Sequence, residues 1–458
     1  MNTLDQIVQA YDVRGTVPDQ FNPEIAHALG VAFARFARAE AIIVGRDMRH
    51  SGESLAESFA AGVNEHGVDV IDIGLVSTDL MYFASGSLDL PGVMITASHN
   101  PARYNGMKLC LAGARPVGID TGLAEIRALA STVLDGVGPA PADRRGQVRQ
   151  QDVLDAFVDH VMSFVDPDQI RPMKVVVDTA NGMGGLVVPA VFERLPQIEL
   201  EVMYGELDGT FPNHPADPLQ LANQADLRAR VVTGGFDLGA AFDGDADRVF
   251  VVDEEGHGIS GSTTTALLAA GVLRAHPGAT ILHNLICSRS VSEIVGENGG
   301  VAVRTRVGHS FIKDQMAKTA ARFGGEHSAH YYFADNYRAD SGLIALVLVL
   351  SELSRSGQKM SVFRKPFERY AASGEINTQV DDVAAILERI SGHYGAADQD
   401  DLDGLTISFD DWWFNLRPSN TEPLLRLNLE AVTRDDCDRR VEEVLSLITA
   451  DDYDEDNR

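Results

Sequence analysis

Short apolar runs alternate along this chain with stretches in which apolar residues recur at helical spacing. Ala41-Ile42-Ile43-Val44-Gly45 leads into a helix-like stretch over residues 53–65, and residues 68–73 read as the next strand. Lys174-Val175-Val176-Val177-Asp178 starts a comparable unit that turns at Asn181-Gly182-Met183-Gly184-Gly185. Ala279-Thr280-Ile281-Leu282-His283 starts a third, entering a helix near Ser290. Strands alternating with helices are the pattern of α/β units, so three such beginnings predict three related α/β domains. From about Phe367 the pattern changes to a strand, a loop at Arg417, a strand over 424–429 and a helix from Arg434. That end predicts a smaller α+β domain. Boundaries are expected in the Pro/Gly/Arg-rich stretch 136–146, at the turn after Val252 and after Gly357, giving domains over 1–145, 146–254, 255–366 and 367–458.

Length and charge narrow the classes. At 458 residues the chain has room for three or four domains of usual size. Its formal charge of −29 argues against nucleic acid or anionic membrane as a partner, since neutralising phosphates takes a basic surface. Cys110, Cys287 and Cys437 are odd in number and scattered, which suggests a reduced cytoplasmic protein without a disulfide framework. The first residues lack the basic and apolar regions of a signal peptide, and the longest apolar run, 343–350, is too short to span a bilayer. The acidic stretch 451–458 reads as a disordered end.

Two distant segments carry candidate chemistry. Thr96-Ala97-Ser98-His99-Asn100-Pro101 offers a hydroxyl on a turn, because Asn-Pro starts turns. Asp243-Gly244-Asp245-Ala246-Asp247-Arg248 offers three carboxylates at alternate positions, which an extended backbone would aim to one side. Three carboxylates that close repel one another, and a hard cation such as Mg²⁺ or Ca²⁺ relieves the repulsion. Aspartates at this spacing also begin an EF-hand loop, with Glu254 at its twelfth position. The sixth position, however, is Arg248 where that loop needs glycine, and the flanks read as strands. Gly184-Gly185 is no Walker loop, since no Gly-Lys-Ser/Thr follows. A Ser98-His99 hydrolase dyad is not expected, because neighbours on an extended chain face opposite ways.

TASHNP and DGDADR are followed by Gly325-Glu326-His327-Ser328-Ala329-His330 and Arg417-Pro418-Ser419-Asn420-Thr421-Glu422-Pro423. Four motifs in this order resemble the α-D-phosphohexomutases, the superfamily of phosphoglucomutases and phosphomannomutases, over residues 11 to roughly 430. The resemblance implies mixed sheets in the three α/β domains, arranged with the last domain around a central active-site cleft. It also implies an intramolecular phosphotransferase that interconverts hexose 6-phosphate and hexose 1-phosphate through a phosphoserine at Ser98 and a reorienting hexose 1,6-bisphosphate, which also serves as activator. Mg²⁺ would be held by Ser98, Asp243, Asp245 and Asp247. Arg14, Lys108, Arg248 and His309 would serve the reaction, with Lys108 or His309 moving the sugar proton. Tyr11, His99, Asn100, Glu326, Ser328 and His330 would bind substrate. Arg417, Ser419, Asn420 and Thr421 would hold the phosphate that is not transferred.

The sequence departs from the family in two places. Ala329 stands where the sugar loop often has glycine, and Ile286 stands where many relatives have lysine, with Arg289 nearby as a partial substitute. His330-Tyr331-Tyr332-Phe333 and Asn420 favour the phosphomannomutase/phosphoglucomutase branch over phosphoglucosamine mutase. Mannose and glucose remain open alternatives. A metal-dependent sugar phosphatase would use the same clamps, and a sugar-phosphate sensor would need Arg417 and Glu326 without Ser98 and the aspartates. The expected partners are small sugar phosphates, and the expected state is a monomer or weak homodimer.

Overall fold

The computed structural model describes residues 3–418 and 424–450. The first sheet runs in the order Val13–Thr16, Tyr104–Leu111, Gly92–Ile95, Ala41–Arg46, Asp69–Leu75, Val148–Gln150, with Arg115–Pro116 against Tyr104–Leu111. Its middle strands are parallel, and the strands at the Tyr104–Leu111 side are antiparallel. Strand alternation explains how the sheet is covered. Ile42 and Val44 face Phe33 and Phe59 of the helices Pro23–Ala37 and Gly52–Glu65, whereas Ile43 and Met94 face the other way. That second face joins a core continuous through the next two sheets, from Ile43 to Val176, Val251, Ile281 and Leu346.

The second sheet runs Gly258–Ile259, Val249–Asp253, Leu238–Phe242, Met173–Asp178, Ile198–Met203, and the third runs Val301–Thr305, Thr280–Asn284, Phe323–Gly325, Tyr331–Phe333. Each is parallel except where a hairpin adds an antiparallel strand. The last sheet, Ala371–Gln379, Leu424–Ala431, Trp412–Pro418, Leu405–Ser408, Asp398–Asp400, is wholly antiparallel. It builds its own core from Trp412, Phe414, Leu427 and Val444 against the helices Val383–His393 and Arg434–Thr449.

The expected architecture of three α/β units and an α+β unit is present, but two sheets run past their expected edges. Val148–Gln150 pairs with residues 70–72, so the first sheet extends beyond residue 145. Gly258–Ile259 pairs with residues 251–252, so the second extends beyond 254. Each of these added strands is only two or three residues long, too short to show an apolar alternation. No helix among the described residues is long and apolar enough to cross a membrane.

One topological rule positions the site. In each of the first three sheets a strand turns back through a hairpin onto an antiparallel neighbour, at residues 96–103, 243–248 and 326–330. Those three hairpins carry the first three of the four motifs.

Candidate active site

The serine hairpin is held in a conformation that L-residues rarely adopt. Ser98 has φ 49°, and its side chain is buried. Its hydroxyl donates to Asp243 Oδ2 at 2.8 Å, and its backbone N–H donates to Thr96 Oγ1 at 2.9 Å. The left-handed turn changes one expectation. Because the backbone is not extended at Ser98, His99 does not face away, and its Nδ1 lies 3.2 Å from Ser98 Oγ. A hydrolase dyad still does not form. Arg248 Nη2, which can only donate, stands 3.0 Å from the same Nδ1, while the serine proton goes to Asp243. Burial, with the charges of Arg248, Arg14 and Lys108, pushes His99 well below its ordinary pKa.

Asp243, Asp245 and Asp247 bring carboxylate oxygens within 4.8 Å of one another. They do so on a tight turn, with Ala246 at φ 62°, rather than by alternation along an extended strand. The turn lies against the serine loop: a Cβ on Gly244 would come within 2.4 Å of the Ser98 carbonyl oxygen. The cage fits a hard cation. Among the described residues Asp245 Oδ1 and Asp247 Oδ1 are buried without a hydrogen-bond partner, with His330 Nε2 3.6 Å and Arg248 Nε 3.9 Å from Asp247 Oδ1 but no cation so placed at Asp245 Oδ1. Burial, reinforced by Asp247 and Asp245, pushes the Asp243 carboxyl well above the usual range. Thr78, at the start of the helix Thr78–Leu88, donates its hydroxyl to Asp245 Oδ2 at 2.6 Å and its N–H to the Asp245 carbonyl at 3.0 Å.

Cations surround the cage. Lys108 Nζ lies 2.7 Å from Asp245 Oδ2 and 2.5 Å from Asp247 Oδ2. Burial opposes its charge, but those two carboxylates outweigh burial and raise its pKa, so Lys108 is an ammonium here. Arg14 pairs with Asp12 at 2.8 Å and donates to the Ala97 carbonyl at 2.7 Å and to Asn100 Oδ1, which ties the first strand to the serine loop. Arg248 Nε donates to His330 Nε2 at 3.1 Å and lies 3.4 Å from Asp243 Oδ2.

The third hairpin meets this group through His330. Its Nδ1 is 3.2 Å from Glu326 Oε2 and 3.2 Å from Ser328 Oγ. Glu326 is enclosed: Tyr332 Oη donates at 2.7 Å, Gly308 N–H at 3.1 Å and Asn284 Nδ2 at 3.3 Å. Burial opposes its charge, yet His330, the Tyr332 hydroxyl and the Gly308 N–H hold its pKa at about 2. Tyr11 lies at the same junction, where Gly308 leaves its ring 3.4 Å from where a Cβ would stand. His309 begins the helix His309–Thr319, and its side chain lies outside the described residues. Ile286 is buried, and Arg289 does not replace the absent lysine. Its Nη1 donates to the Asp410 carbonyl at 3.3 Å, and its N–H donates to Glu430 Oε2 at 3.0 Å, both toward the last sheet.

In the last sheet Arg417 stands directly across the strand pair from Arg426. Two guanidinium groups so placed repel, and Glu375 lies 3.6 Å from each of them. Among the described residues the Nε of both arginines is buried without a hydrogen-bond partner. Ser419, Asn420 and Thr421 lie outside the described residues. Three residues at these loops were not singled out from sequence: Thr78, Arg426 and Arg49. Arg426 was legible as the arginine facing Arg417 across the loop, whereas Thr78 and Arg49 bear no pattern of their own.

A serine on a strained turn, a carboxylate cage against it and guanidinium groups around both make the layout of a phosphoryl-transfer enzyme. The phosphoglucomutase/phosphomannomutase descriptions match in four consecutive segments: α/β/α domain I over residues 5–133, domain II over 155–258, domain III over 260–370 and the C-terminal domain over 375–447. A phosphomannomutase of Salmonella montevideo is 39% identical over 461 residues, spanning 98% of this chain and 100% of that protein. A protein of Xanthomonas campestris pv. campestris (strain B100) named for phosphohexose mutases is 39% identical over 447 residues, spanning 96% and 98%. Among solved structures, a phosphoglucomutase/phosphomannomutase family protein from Burkholderia thailandensis superposes with a TM-score of 0.87 at 29% identity, over 97% of this chain and 98% of that one. This chain belongs to the phosphoglucomutase/phosphomannomutase family.

Proposed function

We propose that this protein interconverts the 6-phosphate and 1-phosphate of a hexose, mannose or glucose, with Ser98 as phosphoryl carrier. The observation that supports it most is the Ser98 hydroxyl 2.8 Å from Asp243 Oδ2, at the edge of a buried three-aspartate cage. In the resting enzyme Ser98 carries phosphate. A hydroxyl of the bound sugar attacks phosphorus, the P–Oγ bond of Ser98 breaks, and the sugar becomes a 1,6-bisphosphate. The bisphosphate turns over, and Ser98 Oγ takes back the other phosphoryl group. Mg²⁺ held by Asp243, Asp245, Asp247 and the serine phosphate would draw charge from the phosphoryl oxygens.

The remaining steps belong to side chains. Arg248 and Arg14 face the phosphate from two sides, Arg14 through a turn it already braces. Lys108, an ammonium between two carboxylates, is a proton donor as it stands, and it accepts the sugar proton only after leaving them. Glu326, Ser328 and His330 present acceptors and a hydroxyl to the sugar. Arg417, with Ser419, Asn420 and Thr421, holds the distal phosphate. Two clamps on separate units suit a bisphosphate that must be released at one end while held at the other. A phosphatase would need neither the second clamp nor a returning step. We place the reaction in the cytoplasm, in a monomer or weak homodimer activated by hexose 1,6-bisphosphate.

The test is intact-mass measurement of the purified protein before and after incubation with hexose 1,6-bisphosphate and Mg²⁺, alongside conversion assays on mannose 1-phosphate and glucose 1-phosphate. One phosphate per chain after the incubation, with any unphosphorylated fraction of the purified protein converted to that mass, and a 6-phosphate product are expected. Accumulation of free phosphate with no 6-phosphate product would identify a phosphatase instead.

A further inference from the structure

Ser98 holds a left-handed backbone, which persists only where surrounding contacts over-determine it. Those contacts come largely from one residue outside all four motifs. Arg49 is 1% exposed, and its guanidinium donates to four backbone carbonyls of the serine hairpin. Nη2 reaches Ser98 O at 2.8 Å and Asn100 O at 2.7 Å. Nη1 reaches Pro101 O at 2.9 Å and Tyr104 O at 2.8 Å. Carbonyls so clustered repel when unpaired, and a planar donor fork satisfies all of them in one geometry.

The remaining donor closes a ring. Arg49 Nε donates to Asp47 Oδ2 at 3.2 Å, and the same oxygen accepts from Thr96 Oγ1 at 2.7 Å. Thr96 Oγ1 in turn accepts the Ser98 N–H at 2.9 Å. Ser98 is therefore gripped at both ends of its own backbone, the N–H through Thr96 and Asp47, the carbonyl through Arg49. The second unit seals the grip. The Phe211 ring lies 5.1 Å from the guanidinium carbon, and Gly209 packs so closely that a Cβ there would come within 2.6 Å of Arg49 Cα.

We infer that Arg49 is a positioning residue for phosphoryl transfer, acting through the Ser98 backbone with Asp47 and Thr96 as one unit. The inference rests on Ser98 being the carrier. Arg49 touches neither the hydroxyl nor the carboxylate cage; it fixes the turn that brings Oγ to Asp243. A misplacement of about 1 Å at such a centre costs on the order of 100-fold in rate. Lysine cannot replace this arginine, because a point-like ammonium lacks the fork that spans four carbonyls.

Arg49→Lys and Thr96→Val are compared with the wild type in steady-state mutase assays and in thermal unfolding. Arg49→Lys is expected to lower kcat about 100-fold with KM within threefold of wild type. Thr96→Val is expected to lower kcat in the same direction by about 10-fold, because it cuts the ring without removing a buried charge. The two changes together should cost little more than Arg49→Lys alone, since they break one unit. If both single variants keep kcat within threefold of wild type, or if KM rises in step with the fall, Arg49 does not position the carrier. If Arg49→Lys does not fold, Thr96→Val decides by the same criteria. Failure of the wild type to convert either hexose phosphate sinks the underlying reading instead, and the wild-type assay reports that separately.

Discussion

Ser98 Oγ and Asp243 Oδ2 lie 2.8 Å apart although 145 positions separate them in sequence, and both are fully buried. Two hairpins from two sheets meet at that bond. Ser98→Ala should therefore lower turnover by several orders of magnitude while leaving sugar phosphate binding within about threefold, because the variant loses the carrier and keeps the clamps. Calorimetric titration with a hexose 6-phosphate, read beside the activity assay, separates the two effects. Appreciable mutase turnover in the alanine variant would remove Ser98 from the reaction.

His283 gives a pH dependence unrelated to catalysis. It is buried in the strand Thr280–Asn284, and burial pulls its pKa down from 6.5 to about 4. The unfolded chain binds a proton near pH 6.5, whereas the folded chain resists until near pH 4. Stability is therefore fully present above pH 6.5 and is lost as pH falls through that window, by up to about 3 kcal/mol. His283→Leu removes the titrating group and a buried Nε2 that has no hydrogen-bond partner among the described residues. Melting temperature against pH should fall less steeply for the variant between pH 6.5 and 4. Parallel curves for the two proteins would place the acid sensitivity elsewhere.

Much of this site was legible because its chemistry is carried by residue types that announce themselves. Three aspartates at alternate positions between apolar strands pointed to a cage, and the three carboxylates do lie within 4.8 Å of one another. The reason offered for it was incomplete, since the carboxylates converge on a turn and not along an extended strand. Arg49 and Thr78 left no signal, because they act on backbone atoms and on partners that become neighbours only when sheets stack. Sheet edges were hidden for a different reason. Val148–Gln150 is exposed along its length and too short to show alternation, so nothing in its sequence marks it as the end of the first sheet. The three hairpins that deliver the motifs follow from the fold, since each lies where an antiparallel strand closes a parallel sheet.

Ala329 tests the departure in the sugar loop. It sits at φ 64° with no exposed surface, where a Cβ costs about 1–2 kcal/mol relative to the right-handed region. Glycine there relieves the strain but loosens the unfolded chain by roughly 0.4–1 kcal/mol. Ala329→Gly should thus be neutral to stabilising by about 1 kcal/mol, measured as a melting temperature unchanged or raised by a few degrees. A clear fall would show that the buried methyl contributes more packing than it costs in strain.

Arg417 and Arg426 face each other across antiparallel strands with Glu375 3.6 Å from each, so among the described residues the group is short of one negative charge. A phosphate held by these two guanidinium groups would supply that charge and replace repulsion with charge-assisted hydrogen bonds. Arg417→Ala should therefore weaken substrate binding by about 1.5–3 kcal/mol, on the order of 10- to 100-fold in KM. It should also slow turnover, because a sugar anchored at one end only reaches Ser98 in the wrong orientation. The bisphosphate should suffer most. Halfway through its turn it would have left the serine end, and a clamp at Arg417 would be what keeps it from diffusing away. An enzyme that loses this intermediate is left dephosphorylated and idle until activator restores it. The variant should consequently depend far more on added hexose 1,6-bisphosphate than the wild type does. Steady-state assays with and without that compound measure the dependence. Unchanged KM, kcat and activator requirement would show that this pair of strands does not hold the substrate.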